Sequence, residues 1–446
     1  MSTSLRETID RLEKEKLLLR INHVLSPRYE IPLVIREFEN KFALLFENIE
    51  GYSNFRIVAG IYGDRYRLST ALGLRENELL QKINEAIRNP EPLKVIAHSF
   101  DHTIKEGIDI NILPIPTFYE KDKGPYITAG IVIAKDPETS VRNASYHRMT
   151  PIGRDLLVVR VVKRDLWHYL QKAQEMGKDL EAAVVIGVDP ATAIAGAASV
   201  PIDVDELEVA SALLEKPLEI TKGVTVNIEY PASAEIVLEG RFLVDSMEEE
   251  GPFVDITGTY DIIRKQPVFQ ISAILLRRNP IFHTILPAGI EHKTLMGIPR
   301  EARIYDSVRG VTIVRDVHLA TWGCGWLECI ISIEKRHEDE PIDAGLAAFA
   351  AHPSLKKVII VDPDINIRSC EDVYWAVITR AHPIRDYIII PRGKGSSLDH
   401  SGTPRARLIV DATIKGEKTL FKRANIPGSI KAEKIISRIR NSLKLC

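Results

Sequence analysis

The sequence predicts a multidomain protein that combines α/β and α+β regions. Helical periodicity alternates with short apolar strands over the first part of the chain. Short β-branched runs separated by turn residues then recur through the middle, and a strand–helix–strand pattern returns in the last third. We therefore expect three domains, at 1–110, 111–305 and 306–446, because 446 residues are enough for several hydrophobic cores.

The first domain is predicted to begin with a capped helix. In "SLRE", Ser4 can accept a hydrogen bond from the backbone N–H three residues further on, and Glu7 can return one. The strand-like segments "ALLFENIEGY" and "FRIVAGIYG" follow, and "ENELLQKINEAIRN" resumes the helical period. This order of elements is typical of an α/β domain.

The middle domain is predicted to consist mostly of β-strands. Runs such as "YITAGIVIA", "DLLVVRVV", "VTVNIEY" and "VFQISAILL" are rich in β-branched residues and are bounded by turn residues. This spacing indicates a sheet or a barrel rather than alternating strands and helices. Two helical segments interrupt it, "KRDLWHYLQKAQEMGK" and "VDELEVASALLEK".

The last domain is predicted to be α/β. A buried strand, "VIIVDPDINI", precedes the helix "CEDVYWAVITR" and the strands "RDYIIIP" and "ARLIVDAT". A basic C-terminal helix follows, and its apolar stripe can pack within the chain or against another subunit. The stripe consists of Ile430, Ile435, Ile436, Ile439 and Leu443.

Two loops of the last domain resemble ligand-binding patterns only weakly. The segment "GKGSS" at 393–397 lacks the full phosphate-loop pattern, so a surface loop is favoured. The segment "VDPDIN" at 361–366 lacks the glycine and the final glutamate of a calcium loop, so a turn at the end of a strand is favoured.

Composition and charge exclude several classes of protein. The 59 basic and 61 acidic residues leave a net charge of −2, so we expect no nucleic-acid binding. No stretch reaches about 18 uncharged apolar residues, so we expect no membrane span. The first residues contain no apolar signal core, and the four cysteines are irregularly spaced. We therefore expect a cytoplasmic protein with reduced thiols.

The acidic segment "EEEGPFVD" at 248–255 raises a question, because it lies directly before a strand-like run. It could be a solvated loop, or it could direct carboxylates into a pocket. Arg148, in "NASYHRM", needs a carboxylate partner if its guanidinium is buried. Glu250 and Asp255 are the candidate partners, whereas Glu248 and Glu249 are expected to face water.

These motifs together resemble a known family. "YIT", "NASYHR", "VPIDVDELEVASALL", "PASAEIVLEG", "EGPFVDITGTY" and "VDATI", in this order, are similar to the UbiD decarboxylases, which use prenylated flavin mononucleotide. The resemblance covers nearly the whole chain. It implies that the middle domain is a split β-barrel that binds the flavin. It also implies that the C-terminal domain forms a homodimer or a higher homo-oligomer, and that a flavin prenyltransferase supplies the cofactor.

The resemblance also implies roles for individual residues. Arg148, Glu250 and Asp255 match the family's catalytic network, with Asp255 as the proton relay. Asn143 and Glu206 match two ligands of a divalent metal, Mn²⁺ or Mg²⁺. The implied cofactor-binding residues are Asn143, Ser145, Tyr146, His147, Arg148 and Arg407.

The sequence departs from the family pattern at two positions. Many members place a histidine as the third metal ligand, but here that position holds Asp165. Asp165 is a hard oxygen ligand that suits Mn²⁺ or Mg²⁺, although it could equally cap a helix. His168, one turn further along, is a weaker candidate, and K⁺ is a further candidate ion. Arg407 stands where members often have a lysine.

The resemblance implies a non-oxidative decarboxylase, since the flavin can act as an electron sink. The segment "LPAGIEHKTLMGIPRE" resembles an archaeal branch of the family. That branch includes the enzyme that converts trans-anhydromevalonate 5-phosphate to isopentenyl phosphate and CO2 in an archaeal mevalonate pathway, and we expect this reaction. A phosphorylated substrate needs nearby cations. The candidates are His283, His292, Lys293 and Arg300.

Two alternatives remain open. The first is an aromatic-acid decarboxylase, such as a 4-hydroxy-3-polyprenylbenzoate decarboxylase, which would require an apolar pocket lined by aromatic residues. The second is a non-catalytic protein that binds flavin or takes part in assembly. Loss of Arg148, Glu250 or Asp255 would indicate the second alternative, but all three are present.

Overall fold

The computed structural model describes residues 1–98, 100–424 and 426–442. The N-terminal region alternates helices and strands as predicted. Its elements are α1 (Leu5–Lys14), β1 (Leu18–Leu25), α2 (Glu30–Phe38), β2 (Ala43–Ile49), β3 (Arg56–Ala59), α3 (Arg65–Leu72) and α4 (Leu79–Arg88). Ser4 caps α1 by accepting a hydrogen bond from the Glu7 N–H at 3.2 Å. The Glu7 carboxylate accepts one from the N–H of Thr3 rather than Ser4.

The middle region contains long strands with a few helices between them. Its elements are β4 (Lys94–Val95), β5 (His102–Ile104), β6 (Ile131–Lys135), β7 (Arg142–Tyr146), β8 (Met149–Pro151), β9 (Leu156–Val159), α5 (Asp165–Glu175), β10 (Leu180–Ile186), α6 (Pro190–Ala197), α7 (Glu206–Leu214), β11 (Glu219–Lys222), β12 (Glu229–Pro231), β13 (Ile236–Glu250), β14 (Phe253–Val254), β15 (Tyr260–Asp261), β16 (Arg264–Leu276) and β17 (Ile281–His283).

The C-terminal region returns to alternating elements. These are α8 (Ile290–Arg309), β18 (Ile313–Leu319), β19 (Glu328–Glu334), α9 (Glu340–Ala351), β20 (Lys357–Val361), α10 (Cys370–Arg380), β21 (Tyr387–Ile390), β22 (Arg407–Ala412) and α11 (Ile430–Ser442). The strands form one sheet in the order β18-β19-β20-β22-β21, with parallel pairs in its centre. The domain boundaries at 110 and 305 stay predictions, and α8 runs through residue 305.

A curled, antiparallel sheet dominates the middle region. Its strand order is β7-β6-β10-β13-β16-β9-β8, and β5 also pairs with β16. The register between β13 and β16 shifts at Gly240, where a Cβ atom would collide with the carbonyl group of Gln270. A glycine at this position therefore permits the close approach of the two strands, and such shifts bend a sheet. The predicted mixed fold with several domains is confirmed, and the sheet expected as a split β-barrel is a curled half-barrel.

The curled sheet is buried on both faces. Along β6, Ile131 and Ile133 contact one hydrophobic cluster, whereas Val132 and Ala134 contact another. Successive side chains of a strand point to opposite faces, so both faces need apolar residues. This explains why these strands read as continuous apolar runs rather than as alternating apolar and polar residues.

The N-terminal sheet is completed by a strand from far along the chain. Its order is β1-β2-β3-β17, and β17 pairs with β3 in parallel. The next helix after β17 is α8. The N–H of its first residue, Ile290, donates a hydrogen bond to the carboxylate of Glu39 at 3.0 Å. Burial raises the pKa of Glu39 to about 7. The N-terminal region therefore holds the start of α8 in place.

Several other predictions can be compared with the structure. Asp362 and Asp364, in "VDPDIN", pair with Arg380 at 3.1 and 2.6 Å, and so follow a strand as an ion-paired turn. The isoleucines of the predicted stripe are exposed on α11, whereas Leu443 lies outside the described residues. Within the described part of the chain, no helix is long and apolar enough to cross a membrane.

Candidate active site

A cavity of about 340 Å³ lies beside the curled sheet, between β7, the start of α5 and α8. It is lined by charged, aromatic and aliphatic side chains from elements that are distant in sequence. Most of the predicted site residues line it, namely Asn143, Ser145, Tyr146, His147, Arg148, Asp165, Glu206 and Asp255. The structure therefore brings together residues that are more than 100 positions apart.

Arg148 and Glu250 form a buried ion pair beside this cavity. Glu250, the last residue of β13, is fully buried, and its two oxygens accept hydrogen bonds from Arg148 Nε at 2.8 Å and Nη2 at 2.9 Å. Tyr126 donates a further hydrogen bond to Glu250 Oε1 at 3.3 Å. Charge-assisted bonds in this two-point geometry fix the plane of a guanidinium group. Arg148 is thus held in one orientation.

Asp255 is held more loosely than Glu250. Its Oδ2 lies 4.0 Å from Arg148 Nη1, and its side chain is 25% exposed. Its other oxygen, Oδ1, accepts a hydrogen bond from the Ile256 N–H at 2.6 Å. Asp255 therefore lines the cavity with a carboxylate that is near a cation but is not locked to it. Such a group can exchange a proton with a bound molecule.

The turn between the two acids explains their convergence. Gly251 has a φ of +94°, a conformation that glycine adopts readily and other residues avoid. After this turn, Phe253 packs beneath Arg148, with the guanidinium carbon 4.9 Å from the ring centroid. Asp255 then follows at the rim of the cavity. Glu248 and Glu249 are exposed, as predicted.

Sequence reasoning missed Asp261, a third acid in this network. Its Oδ2 lies 3.2 Å from Arg148 Nη2 and 2.5 Å from Arg264 Nη1. Asp261 pairs with Phe253 across the hairpin of β14 and β15, which brings it back beside Arg148. The sequence feature that could have identified Asp261 is the turn "TGT", since a hairpin around it places Asp261 opposite Phe253.

The three candidate metal ligands lie around one part of the cavity. Glu206, at the start of α7, is buried and accepts a hydrogen bond from the Ala144 N–H at 2.8 Å. Its Oε1 lies 3.0 Å from the Asn143 side-chain amide. Asp165 is the first residue of α5 and lines the same cavity, while Arg164 holds the N-cap position. His168 is exposed.

The donor set fits a hard cation. Burial raises the pKa of Glu206 to about 8, and the charges of Asp205 and Asp165 act in the same direction. No lysine or arginine within residues 1–98, 100–424 and 426–442 forms an ion pair with Glu206. A buried carboxylate without a cation is costly, and a divalent ion would remove that cost. The described residues contain no cluster of three or more His, Cys, Asp or Glu side chains with metal-binding geometry.

Two arginines and one histidine face the cavity, and neither arginine forms an ion pair with the acids described above. Arg300 is 7% exposed, and its Nη2 donates to Ser199 Oγ at 2.6 Å. Arg164 donates to the same hydroxyl at 3.4 Å. Burial lowers the pKa of Arg300 to about 10, and the charge of Arg164 acts in the same direction. His292 also lines the cavity, and burial lowers its pKa to about 4.

Two other candidate phosphate ligands and one cofactor candidate lie elsewhere. His283 is buried against Glu291, with Nε2 and Oε1 3.2 Å apart, and Lys293 is not among the residues that line the cavity. The structure does not bring Arg407 to the cavity either. Its Nη2 donates to the carbonyls of Pro353 and Lys394 within the C-terminal region, and these contacts hold its guanidinium there.

Three family models match the chain. They are the N-terminal domain of 3-octaprenyl-4-hydroxybenzoate carboxy-lyase over residues 9–87, its Rift-related domain over 94–290, and its C-terminal domain over 293–420. The chain therefore belongs to the UbiD family of carboxy-lyases, and the predicted family and decarboxylase class are confirmed.

Curated relatives match more than nine tenths of the chain. Anhydromevalonate phosphate decarboxylase of Methanothermobacter thermautotrophicus is 42% identical over 413 residues, which are 92% of this chain and 96% of the relative. The protein of the same name from Methanosarcina mazei is 40% identical over 427 residues, which are 95% of this chain and 99% of the relative. The predicted resemblance to an archaeal branch is thus confirmed.

Solved structures agree with this assignment. The UbiD-class enzyme HmfF from Pelotomaculum thermopropionicum, in complex with FMN, superposes with a TM-score of 0.93 at 40% identity, covering 96% of this chain and 98% of that chain. The apo 3,4-dihydroxybenzoic acid decarboxylase of Klebsiella pneumoniae gives a TM-score of 0.92 at 28% identity, covering 97% and 99%. An evolved dimeric form of HmfF was solved with prFMN.

Proposed function

We propose that this chain decarboxylates trans-anhydromevalonate 5-phosphate to isopentenyl phosphate and CO2, with prenylated FMN bound in the cavity. The observation that carries the proposal is the near full-length similarity to relatives named anhydromevalonate phosphate decarboxylase. The flavin is supported by the FMN and prFMN complexes of HmfF. A cavity of about 340 Å³ is within the usual size range of small-molecule sites.

The side chains of the cavity suit a decarboxylation. A bound prenylated flavin supplies the electron sink for the electron pair that CO2 leaves behind. Glu250 holds Arg148 in one orientation through two hydrogen bonds, so that its remaining N–H groups can position the substrate. Asp255 carries the proton that goes to the substrate carbon, because it lines the cavity and is only loosely paired.

Cations near the cavity suit an anionic substrate and cofactor. Arg164 and Arg300 share Ser199 and form no ion pair with an acid of the described residues, so they are available to a phosphate group. Arginine binds phosphate oxygens well because its planar fork offers paired donors. Apolar side chains such as Leu295 and Met296 also line the cavity.

A divalent cation, Mn²⁺ or Mg²⁺, completes the proposed site. Asn143, Glu206 and Asp165 would hold it through oxygen atoms, and the ion would neutralise the phosphate of the flavin. K⁺ is a further candidate. Ser145, Tyr146, His147 and Arg148 line the same cavity and are proposed to surround the cofactor.

The proposal also includes partners. A flavin prenyltransferase would supply the modified cofactor. A homo-oligomer is supported by the dimeric HmfF structure and by the exposed isoleucines on α11, since a row of exposed apolar residues is typical of an interface. The side chains concerned are Ile430, Ile435, Ile436 and Ile439.

The runner-up is an aromatic-acid decarboxylase such as a 4-hydroxy-3-polyprenylbenzoate decarboxylase. It is supported by the match to the domains of 3-octaprenyl-4-hydroxybenzoate carboxy-lyase. The aromatic residues Tyr146, Phe253 and Trp326, which line the cavity, also support it. The unpaired arginines favour the phosphorylated substrate over this alternative. A non-catalytic role is disfavoured because Arg148 and Glu250 form an intact ion pair with Asp255 beside them.

One assay separates these functions. Protein co-expressed with a flavin prenyltransferase is incubated with trans-anhydromevalonate 5-phosphate or with a 4-hydroxybenzoate bearing a 3-polyprenyl group, and products are measured by ³¹P NMR or by mass spectrometry. We expect isopentenyl phosphate from the first substrate and no turnover of the second. Turnover of the aromatic acid alone would favour the runner-up, and turnover of neither by flavin-loaded protein would contradict the proposal.

A further inference from the structure

A chain of hydrogen bonds leads from the backbone to the proposed metal ligand Asn143. His147 is buried, and its Nδ1 lies 2.9 Å from the carbonyl oxygen of Arg160. Its Nε2 lies 2.8 Å from Ser145 Oγ. Ser145 Oγ lies 2.9 Å from the Asn143 side-chain amide, and the other end of this amide lies 3.0 Å from Glu206 Oε1.

The backbone end of this chain sets the direction of every hydrogen bond in it. A carbonyl oxygen can only accept, so His147 carries a hydrogen on Nδ1. Burial lowers the pKa of His147 to about 4, and the neutral ring therefore presents a lone pair at Nε2. The single hydroxyl hydrogen of Ser145 is donated to that lone pair. Ser145 Oγ can then only accept from Asn143, which must turn its NH2 group toward Ser145.

This direction determines which atom of Asn143 faces Glu206. In the structure Nδ2 faces Glu206 Oε1 and Oδ1 faces Ser145, an arrangement that would require the serine hydroxyl to donate twice. A half-turn of the amide exchanges the two atoms with little change of shape. Oδ1 then faces Glu206 Oε1, and two acceptor oxygens at this separation repel each other unless a proton or a cation lies between them.

We propose that His147 and Ser145 are positioning residues that turn the Asn143 amide so that its oxygen, together with Glu206, forms a binding site for a divalent cation. The inference rests on the metal site of the proposed function, and it adds two residues that contact neither the metal nor the substrate in this role. Groups that orient a metal ligand typically change metal affinity by about 10- to 100-fold when they are removed.

The test measures binding of Mn²⁺ alone to the full-length protein after removal of metals with a chelator. Free Mn²⁺ is followed by electron paramagnetic resonance, and each variant is checked by thermal unfolding. We expect Ser145→Ala to weaken Mn²⁺ binding about 10- to 100-fold. The matched control Ser145→Thr keeps the hydroxyl and is expected to bind like the wild type. His147→Phe frees the hydroxyl to donate to Asn143 and should weaken binding as Ser145→Ala does.

A second background separates orientation from general damage to the fold. Asn143→Asp has two equivalent oxygens, so its ligand atom no longer depends on Ser145. We expect Ser145→Ala to change Mn²⁺ affinity by less than about threefold in this background, in contrast to the loss in the Asn143 background. This pair of variants also decides the matter if His147→Phe does not fold.

Three outcomes would overturn the inference. Ser145→Ala could bind Mn²⁺ as tightly as Ser145→Thr, or it could lose the same affinity in the Asn143→Asp background. The wild-type protein could also fail to bind Mn²⁺, which would remove the metal site together with the positioning role. The decarboxylation itself is judged separately, by the appearance of isopentenyl phosphate in the product assay.

Discussion

The ion pair between Arg148 and Glu250 gives the sharpest prediction, which concerns Glu250→Gln. Both oxygens of Glu250 accept hydrogen bonds from Arg148, at 2.8 and 2.9 Å, and the carboxylate is fully buried. Glutamine has nearly the same shape, but its NH2 group would face one of the guanidinium donors. The substitution therefore removes one hydrogen bond and leaves a buried positive charge with less compensation.

The expected magnitude follows from the surroundings of Arg148. Removing one partner of a buried ion pair costs about 3 to 5 kcal/mol of unfolding free energy. The side chain of Arg148 is 13% exposed, and Asp261 remains 3.2 Å from its Nη2, so part of the charge stays compensated. We therefore expect Glu250→Gln to lose about 3 kcal/mol, at the lower end of this range.

Urea unfolding followed by circular dichroism measures this loss by linear extrapolation. Glu249→Gln is the matched control, because Glu249 is the adjacent residue of the same strand and is exposed. We expect the control to stay within about 0.5 kcal/mol of the wild type. If Glu250→Gln were as stable as Glu249→Gln, the buried ion pair would not hold Arg148, and the reasoning about its orientation would be refuted.

The remaining predictions concern the proton relay, a buried acid and the curled sheet. Asp255→Asn should retain bound flavin, seen in its absorption spectrum, and should lower kcat by about 100-fold or more. Because the pKa of Glu39 is raised to about 7 in the folded state, the protonated form favours folding and stability falls as pH rises from 5 to 8. Glu39→Gln should remove this pH dependence of the unfolding free energy, which amounts to about 3 kcal/mol. Urea unfolding at the two pH values measures it. Gly240→Ala should lower the thermal unfolding midpoint more than Gly124→Ala, where the added Cβ would come no closer than 3.8 Å to a neighbouring side chain.

The sequence motifs were sufficient to predict the family and the fold class, and most of the site residues that they predicted line the cavity. Arg148 and Glu250 are 102 positions apart, yet the need of a buried guanidinium for a carboxylate indicated their pairing. The alternation of apolar and polar residues was less informative along β6. A sheet that is covered on both faces has a continuous apolar run, so the pattern does not distinguish its two faces.

The positions that the sequence did not predict depend on contacts between residues that are distant along the chain. Asp261 reaches Arg148 only because the short hairpin of β14 and β15 folds back over Phe253. Arg407 lies at the start of a predicted strand, but carbonyl groups of two distant loops hold its side chain away from the cavity. The three-residue strand β17 joins the N-terminal sheet from the far side of the middle region, a pairing that no local pattern indicates.

The most direct test of the account is the reaction of flavin-loaded protein with trans-anhydromevalonate 5-phosphate in D2O. Loss of CO2 followed by delivery of one solvent-derived proton predicts isopentenyl phosphate that carries one deuterium, at the carbon that held the carboxyl group, with one CO2 released per product. Unchanged substrate after incubation with protein that contains bound prenylated FMN would contradict the account.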